Sequence, residues 1–571
     1  MSDEPNSQNP GPKRELSTET RLMIAFALMA LVLFATPYVF KSLAPPPPPK
    51  KAAVATQQSA PAATAPPAAA DTAATTAPAA TQRVAGQKEE TFVVDTDVYR
   101  VVFSNRGAVV REWTLKKYTD SNGKPLELVN AVAAPKTGYP FQFYFDQKKP
   151  AVDLNNVLFE AKAASDGLGV TYEYADGAVT ASKTFRFRRN EYLTDLTTEV
   201  HDHGAALPHL IAWRGGFGDP AITNPAEQRT VRFDNEGGLK TRNAKDAKNG
   251  PFLDEANFSF AGIEDKYFTA VFLQSGSGLV RELTFGDTVA MAADPKEQQR
   301  AGVGIGRPDS GEFSLFVGPK DIDILRQVNP KLVNAVDFGF FWFLAKPLFY
   351  VLHYVNHQWV HNYGWSIVVV TILINTLLFP MRLTNLKSMK KMQLLQPQIA
   401  AINDKYKGIS LRDPRKQQQN EEVMALYKKH GANPMGGCLP MLIQIPFFIA
   451  FYKVLSVSIQ LRHAEWLWVT DLSQAETLAI HILPLAMIAT QFFMQKMTPA
   501  TSADPSQQRM MLMMPLIMGF FFYSLPSGLV LYYMTSNLVG IVQQWFFNKT
   551  VPAPDIPVPA PTGKKQNGKR R

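Results

Sequence analysis

The sequence predicts a multi-domain membrane protein in which an all-β domain held outside the membrane precedes an all-α transmembrane core of five helices. Apolar residues make up 46% of the 571-residue chain, but they crowd into separated runs near the start and in the last two fifths. Between those runs, from about Thr91 to Ile324, short segments alternate apolar and polar residues with the period of a strand. The length exceeds what one core fills, so several structural units are expected.

Residues 1–21 form a cytoplasmic N-terminus. Leu22 to Phe40 carries no charge and is flanked by Arg21 and Lys41; at helical rise it spans the roughly 30 Å hydrocarbon core. Thr36-Pro37-Tyr38-Val39-Phe40 is not a small-residue cleavage site, so residues 22–40 are expected to remain as a transmembrane signal anchor. Residues 41–88, opening with Pro45 to Pro49 and rich in Ala, Pro, Thr and Gln, lack the large apolar residues that offset chain entropy and form an extended tether. Residues 89–328 make the β domain, with Tyr99, Val101 and Phe103 on one strand face and Phe185 and Phe187 on another, in a sandwich or barrel-like packing. Gly302, Gly304 and Gly306 precede Arg307-Pro308-Asp309 rather than a helix start, which points to a bend in a strand. Residues 329–357 gather Phe338, Phe340, Phe341, Trp342 and Phe343 beside Asp337, Lys346 and Pro347, a pattern for an amphipathic helix lying in the membrane interface.

The core, residues 358–548, contains apolar spans at 365–383, 436–457, 479–495, 510–525 and 529–547. Only Pro526-Ser527-Gly528 separates the last two, which forces an antiparallel pair. Segment 384–434 is rich in lysine and arginine and is therefore cytoplasmic. It reads as a helical hairpin: Leu386, Met389, Met392, Leu395, Ile399 and Ile402 recur at helical steps, leaving Lys387, Lys390 and Lys391 on the other side. Lys428, Lys429, His430 and Gly431 close the second helix. The tail 549–571, with Lys564, Lys565, Lys569, Arg570 and Arg571, is cytoplasmic, and parity then puts both termini inside and the β domain outside.

Several function classes are disfavoured. Cys438 is the sole cysteine, so no intrachain disulfide forms. Gly123-Lys124-Pro125 lacks the glycine spacing of a nucleotide-binding loop. Aspartate and glutamate are absent from the apolar runs, unlike a proton pump or carboxylate-based transporter. The excess of lysine and arginine over acids, 59 to 49, suits anionic lipid or ribosomal RNA without direct nucleic-acid readout. His201 with His203, and His353 with His357, lack a third metal ligand and read as surface and ring-packing residues. Uncharged polar residues do enter the spans: Thr371 and Asn375, Gln444, Thr490 and Gln491, Thr535 to Asn537, and Gln543 and Gln544. They are unfavourable toward lipid and converge on a shared polar groove, or only bind helices together. A small-solute transporter, a lipid scramblase and an anchored enzyme acting on carbohydrate are the alternatives.

Asn433-Pro434-Met435-Gly436-Gly437-Cys438-Leu439-Pro440, Gln444-Ile445-Pro446, Gln495-Lys496-Met497 and Pro526-Ser527-Gly528-Leu529-Val530-Leu531-Tyr532-Tyr533 with Ser536-Asn537 resemble the YidC/Oxa family of membrane insertases. The resemblance is strong from Phe338 to Phe547. It implies a β-supersandwich outside and a five-helix core around a hydrophilic groove closed toward the outside. It further implies nascent membrane proteins as substrates, action alone or with the Sec translocon, ribosome binding through cytoplasmic segments, and function as a monomer with no cofactor and no covalent chemistry. By position Thr371 and Tyr533 match groove residues, and Phe448, Met487 and Phe521 match positions that touch the incoming helix. Gln444 and Thr490 join the expected groove set, and Lys387, Lys390, Lys391, Lys428 and Lys429 are expected to meet the ribosome or nascent chain. Where bacterial members place a groove arginine this chain has Asn375; Arg382, seven residues on, is expected to supply positive charge nearer the cytoplasm.

Overall fold

The computed structural model describes residues 83–552 apart from 121, 223, 275–277, 292–293, 309–310, 410–412, 433–438 and 499–504. The expected signal anchor 22–40, nearly all of the tether and the basic tail, and Cys438 lie outside the described residues.

Strands form where the alternation is cleanest. In Val179–Phe187 every second residue from Val179 to Phe187 is buried, and Tyr99, Val101 and Phe103 point inward from Tyr99–Ser104. Three antiparallel sheets result. The first contains Thr91–Asp95, Tyr99–Ser104, Val109–Thr119 and Pro125–Glu127 in chain order. The second, ten-stranded, runs from the Gly238–Asn243 edge to the Glu160–Ala163 edge. Its centre is Glu312–Pro319, which inserts between Phe268–Leu273 and Leu193–Asp202. The sheet is therefore complete only when the last strand of the domain has been made. The third contains Phe252–Ala256, Val280–Met291, Asp294–Gly306, Leu210–Trp213 and Gln142–Tyr144 in spatial order. One apolar core joins the three sheets into an all-β supersandwich. The alternating glycines do lie in a strand, Asp294–Gly306, where Gly302, Gly304 and Gly306 keep unbroken register with Phe285, Leu283 and Arg281. They lie where neighbouring backbone and the Phe285 ring come close.

One inward position on Val179–Phe187 is a lysine. Lys183 is fully buried and donates to the carbonyls of Gly107 (3.0 Å), Ala108 (3.1 Å) and Phe141 (2.6 Å), with its ammonium 4.0 Å from the centre of the Phe143 ring. Three acceptors satisfy its three donors, although burial still pushes it well below the ordinary lysine range. Glu282 is also fully buried. Its Oε2 accepts from Arg232 (3.1 Å), a guanidinium shared with Asp254 (3.0 Å), and burial together with the Asp254 charge pushes it up to about 8.

Helices follow. Helix α1 (Ile322–Val328) is capped by Asp321, whose carboxylate accepts from the amides of Asp323 and Ile324. A 3₁₀ segment, Pro330–Ala335, leads to α2 (Trp342–Val355), shorter than the expected 329–357 because Pro330 and the left-handed Gly339 interrupt the path. Then come α3 (Tyr363–Leu377), α4 (Phe379–Lys405), α5 (Arg415–Lys429), α6 (Leu439–Val457), α7 (Ile482–Met497), α8 (Pro505–Phe522) and α9 (Ser527–Thr550). Helix α4 opens at Phe379-Pro380, so the first hairpin helix follows α3 with only Leu378 between them. Among the described residues no single helix is long and apolar enough to cross a membrane alone; Trp342–Val360 and Tyr363–Leu377 pass together as a pair bent by 117°.

The β domain and the helices share one apolar core and a buried ion pair. Arg462, in the loop after α6, donates to Asp219 Oδ2 from Nε (2.9 Å) and Nη2 (2.6 Å), and the two side chains are only 5% and 2% exposed. The Asp219 amide in turn donates to Asp265 Oδ2 (2.6 Å), while Asp265 Oδ1 accepts from the amides of Tyr267 and Phe268. Gly218 (φ +94°) has to be glycine, since a Cβ there would strike the Asp265 carboxylate. Gln460 adds a bond to Asp321 (3.2 Å).

Removing one partner of a buried pair strands the other charge, so Arg462→Ala should destabilise the full chain by about 3–5 kcal/mol. Thermal unfolding in detergent reads this, and a melting point within error of the parent would refute it. Glu282 gives a pH signature. Its folded-state proton affinity is raised, so its contribution is complete below the ordinary carboxylate range and lost as pH rises through about 8. Stability should therefore fall more steeply over that range in the parent than in Glu282→Gln.

Candidate functional site

The interior of the bundle turns polar where α3, α7 and α9 meet. On α9, Ser536, Asn537, Gly540, Gln543 and Gln544 recur at three- and four-residue steps and so share one buried face. The Ser536 hydroxyl donates to Asn375 Oδ1 (3.3 Å), and Gln543 Nε2 donates to the Asn375 carbonyl (3.1 Å). Asn375 Nδ2 donates back to the Thr371 carbonyl (2.9 Å), and Asn537 Nδ2 donates to Thr490 Oγ1 (3.4 Å). The result is a seam of uncharged polar groups across three helices. Among the described residues, Gln543 Oε1 in the seam and Gln491 Oε1 beside Thr490 on α7 are buried without a hydrogen-bond partner.

The expected site residues divide along this seam. Thr371 is fully buried and spends its hydroxyl on the Ile367 carbonyl (2.6 Å), whereas Asn375 and Thr490 are half-buried. Tyr533 is half-buried in an aromatic cluster, its ring centre 4.9 Å from that of Phe522 and 6.2 Å from that of Phe448. Met487 is fully buried, while Phe521 is half exposed on an α8 face that also exposes Leu516, Ile517 and Phe520. The side chain of Gln444 lies outside the described residues. Arg382 reaches α9 as well: a Cβ on Gly540 would lie 2.7 Å from its Nη2 and 2.9 Å from Met494 Sδ. Sequence reading had no reason to single out Gly540; a glycine inside a row of polar residues at helical spacing was the available signal.

The lysines separate into two kinds. Lys390 donates to the carbonyl of Val551 (2.7 Å), just past the end of α9, and lies 5.5 Å from the centre of the Phe547 ring. Lys391 donates to the Gly431 carbonyl (3.4 Å), closing the hairpin across its base. Lys387, Lys428 and Lys429 are exposed. The hairpin has its own small core of Met392, Leu395, Ile399 and Ala432, with Met389, Val423, Leu426 and Tyr427 packed against it. Near its tip Glu422 accepts from Lys405 (2.7 Å) and from the Tyr406 hydroxyl (2.8 Å). A cation on the last carbonyls of a helix favours that end, so Lys390→Ala should loosen the hairpin against α9 while Lys387→Ala does not. Spin labels on α5 and near residue 548 would read this as a broader distance distribution in the first variant only; equal distributions would contradict it.

Residues 91–351 match the family described as YidC periplasmic domain, and residues 355–554 match the family described as 60Kd inner membrane protein. The membrane protein insertase YidC of Pelobacter propionicus is 35% identical over 495 residues, covering 82% of this chain and 88% of that one. That of Syntrophus aciditrophicus is 34% identical over 485 residues, covering 81% and 86%. A crystal structure of an active YidC insertase with its first transmembrane domain resolved is 19% identical, covers 81% of this chain and 94% of that chain, and superposes with a TM-score of 0.34. The chain belongs to the YidC family of membrane protein insertases.

Proposed function

We propose that this chain moves hydrophobic segments of nascent membrane proteins into the inner membrane, using the polar seam as a partial path for their polar ends. A charge at the centre of a bilayer costs about 2.5–3.5 kcal/mol on insertion scales, whereas the apolar part of the same segment gains by entering lipid. A seam of hydroxyls and amides reaching partway across lowers the first barrier, and the gain of the apolar helix completes the transfer without covalent chemistry. The observation that carries this reading is the buried network of Asn375, Ser536, Gln543, Asn537 and Thr490 inside helices that hold no carboxylate. Among the described residues one acceptor of this network, Gln543 Oε1, has no donor, so a guest that reached it would supply the missing bond.

In this reading α3 and α6 to α9 cross the membrane with both chain ends in the cytoplasm and the β domain in the periplasm. Arg462 supports that orientation, because its bond to Asp219 requires the loop after α6 to share a side with the β domain. The sharp turn between α2 and α3 suits one helix in the interface plane and one across it, and Phe340, Trp342, Phe343 and Trp359 remain exposed there as interfacial anchors. The free lysines of the hairpin and the basic tail serve a ribosome, and the Sec translocon is a partner for larger substrates. The chain acts as a monomer, with anionic lipid at its cytoplasmic face.

A photocrosslinker at Phe521 should capture a ribosome-stalled membrane protein, and one at Phe448 should do so more weakly because it is half-buried. Cysteine at Asn375 should react with a water-soluble reagent added from the cytoplasmic side. Silence at both Phe521 and Asn375 would remove the proposal.

A further inference from the structure

Among the described residues Arg382 has no carboxylate partner. Residues 338–403, 477–503 and 505–554 contain no aspartate or glutamate, so α2 to α4 and α7 to α9 offer the guanidinium no counter-ion apart from Asp404 at the far tip of α4. Among the described residues its one polar contact is a long bond from Nη2 to the sulfur of Met494 (3.7 Å). Five N–H donors thus meet a single weak acceptor. The group is half-buried, wedged between α4, α7 and Gly540 of α9. Holding an uncompensated cation away from water is costly, and a guanidinium fork suits a paired-oxygen anion.

Depth selects the anion. Tyr363 to Arg382 is nineteen steps of a nearly continuous helical path, or about 28 Å at helical rise, close to the roughly 30 Å thickness of the hydrocarbon layer. With the start of α3 at the outer boundary, Arg382 stands at the level of the inner phosphates. Leu377 at the end of α3, Phe493 beside Met494 in sequence, and Val542 and Trp545 just past Gly540 on α9 are exposed apolar side chains that would meet acyl chains. One turn beyond Gly540 on the same face of α9, Gln543 is only 9% exposed and its Oε1 lacks a donor among the described residues. A phosphate for the guanidinium beside a hydroxyl or ammonium for the amide oxygen is the chemistry of a phospholipid headgroup.

We propose that Arg382, with Gly540 and Gln543, forms a site for the headgroup phosphate of a phospholipid of the cytoplasmic leaflet. The lipid is the resting counter-ion of the seam and leaves when a substrate's polar end arrives. A carboxylate on a passing chain presents the same two oxygens, but it is there only during insertion, whereas the cation needs a partner throughout. Gly540 is part of the site because any side chain there would push the fork aside.

The site rests on the membrane orientation proposed above, and the two fail separately: insertion is read on the unaltered chain, lipid retention on substrate-free protein. The full chain is purified from nanodiscs of phosphatidylglycerol and phosphatidylethanolamine, and retained lipids are counted by native mass spectrometry. The parent should keep one phospholipid that Arg382→Gln loses, with occupancy falling roughly tenfold as expected for a charge-assisted pair. Arg382→Lys, which keeps the charge without the fork, should fall between them, and Gly540→Ala, which keeps the charge but displaces the fork, should also weaken retention. Equal retention in the parent and Arg382→Gln would overturn the site. So would a parent that keeps no phospholipid but binds a peptide with an acidic tail in an Arg382-dependent way, since that would assign the cation to substrate alone.

Discussion

Two charges withdrawn from water, Arg462 and Asp219, tie a β-supersandwich to a helical bundle, and much of the arrangement depends on that joint. The loop that carries Arg462 also donates and accepts elsewhere. Its Leu472 and Gln474 carbonyls accept from the amides of Gly528 and Ser527 at the start of α9, and Glu476 accepts from Trp468 (2.8 Å) and from the Leu483 amide (2.9 Å) near the start of α7. One loop thus positions the outer domain, α7 and α9 together. Those are two of the three helices that build the polar seam, so the seam's geometry is referred to the same point as the domain above it.

The seam shows how a bundle can be polar inside and still stable. Each group is uncharged, and most find a partner on a neighbouring helix, which keeps the desolvation penalty small. Partners run out at Gln491 and Gln543, whose Oε1 atoms have no donor among the described residues. Arg382 departs from this pattern. It is the charged member at the edge of an uncharged network, set against a glycine and a thioether.

At the other end of the bundle the hairpin is held by cations on helix-terminal carbonyls rather than by ion pairs alone. Lys390 on the end of α9 and Lys391 on Gly431 spend their charge inside the molecule, whereas Lys387, Lys428 and Lys429 are exposed. A basic segment is therefore two things at once: a structural clasp and an exposed surface.

The sequence by itself determined the order and kind of the parts. Period-two alternation at Tyr99 to Phe103 and Val179 to Phe187 specified strands and their inward faces, and the apolar runs located the helices, because these patterns are properties of neighbouring residues. It also named most of the seam, since an amide inside an apolar run is conspicuous wherever it ends up. It put the alternating glycines in a strand, but only the tertiary structure reveals the close approach of neighbouring backbone and the Phe285 ring there. Pairings between residues far apart in the chain were decided by the tertiary structure alone: Arg462 with Asp219, Lys183 with three carbonyls, Lys390 with the end of α9, and Arg382 against Gly540. A charge announces that it needs a partner, but which one it meets depends on how the intervening chain packs.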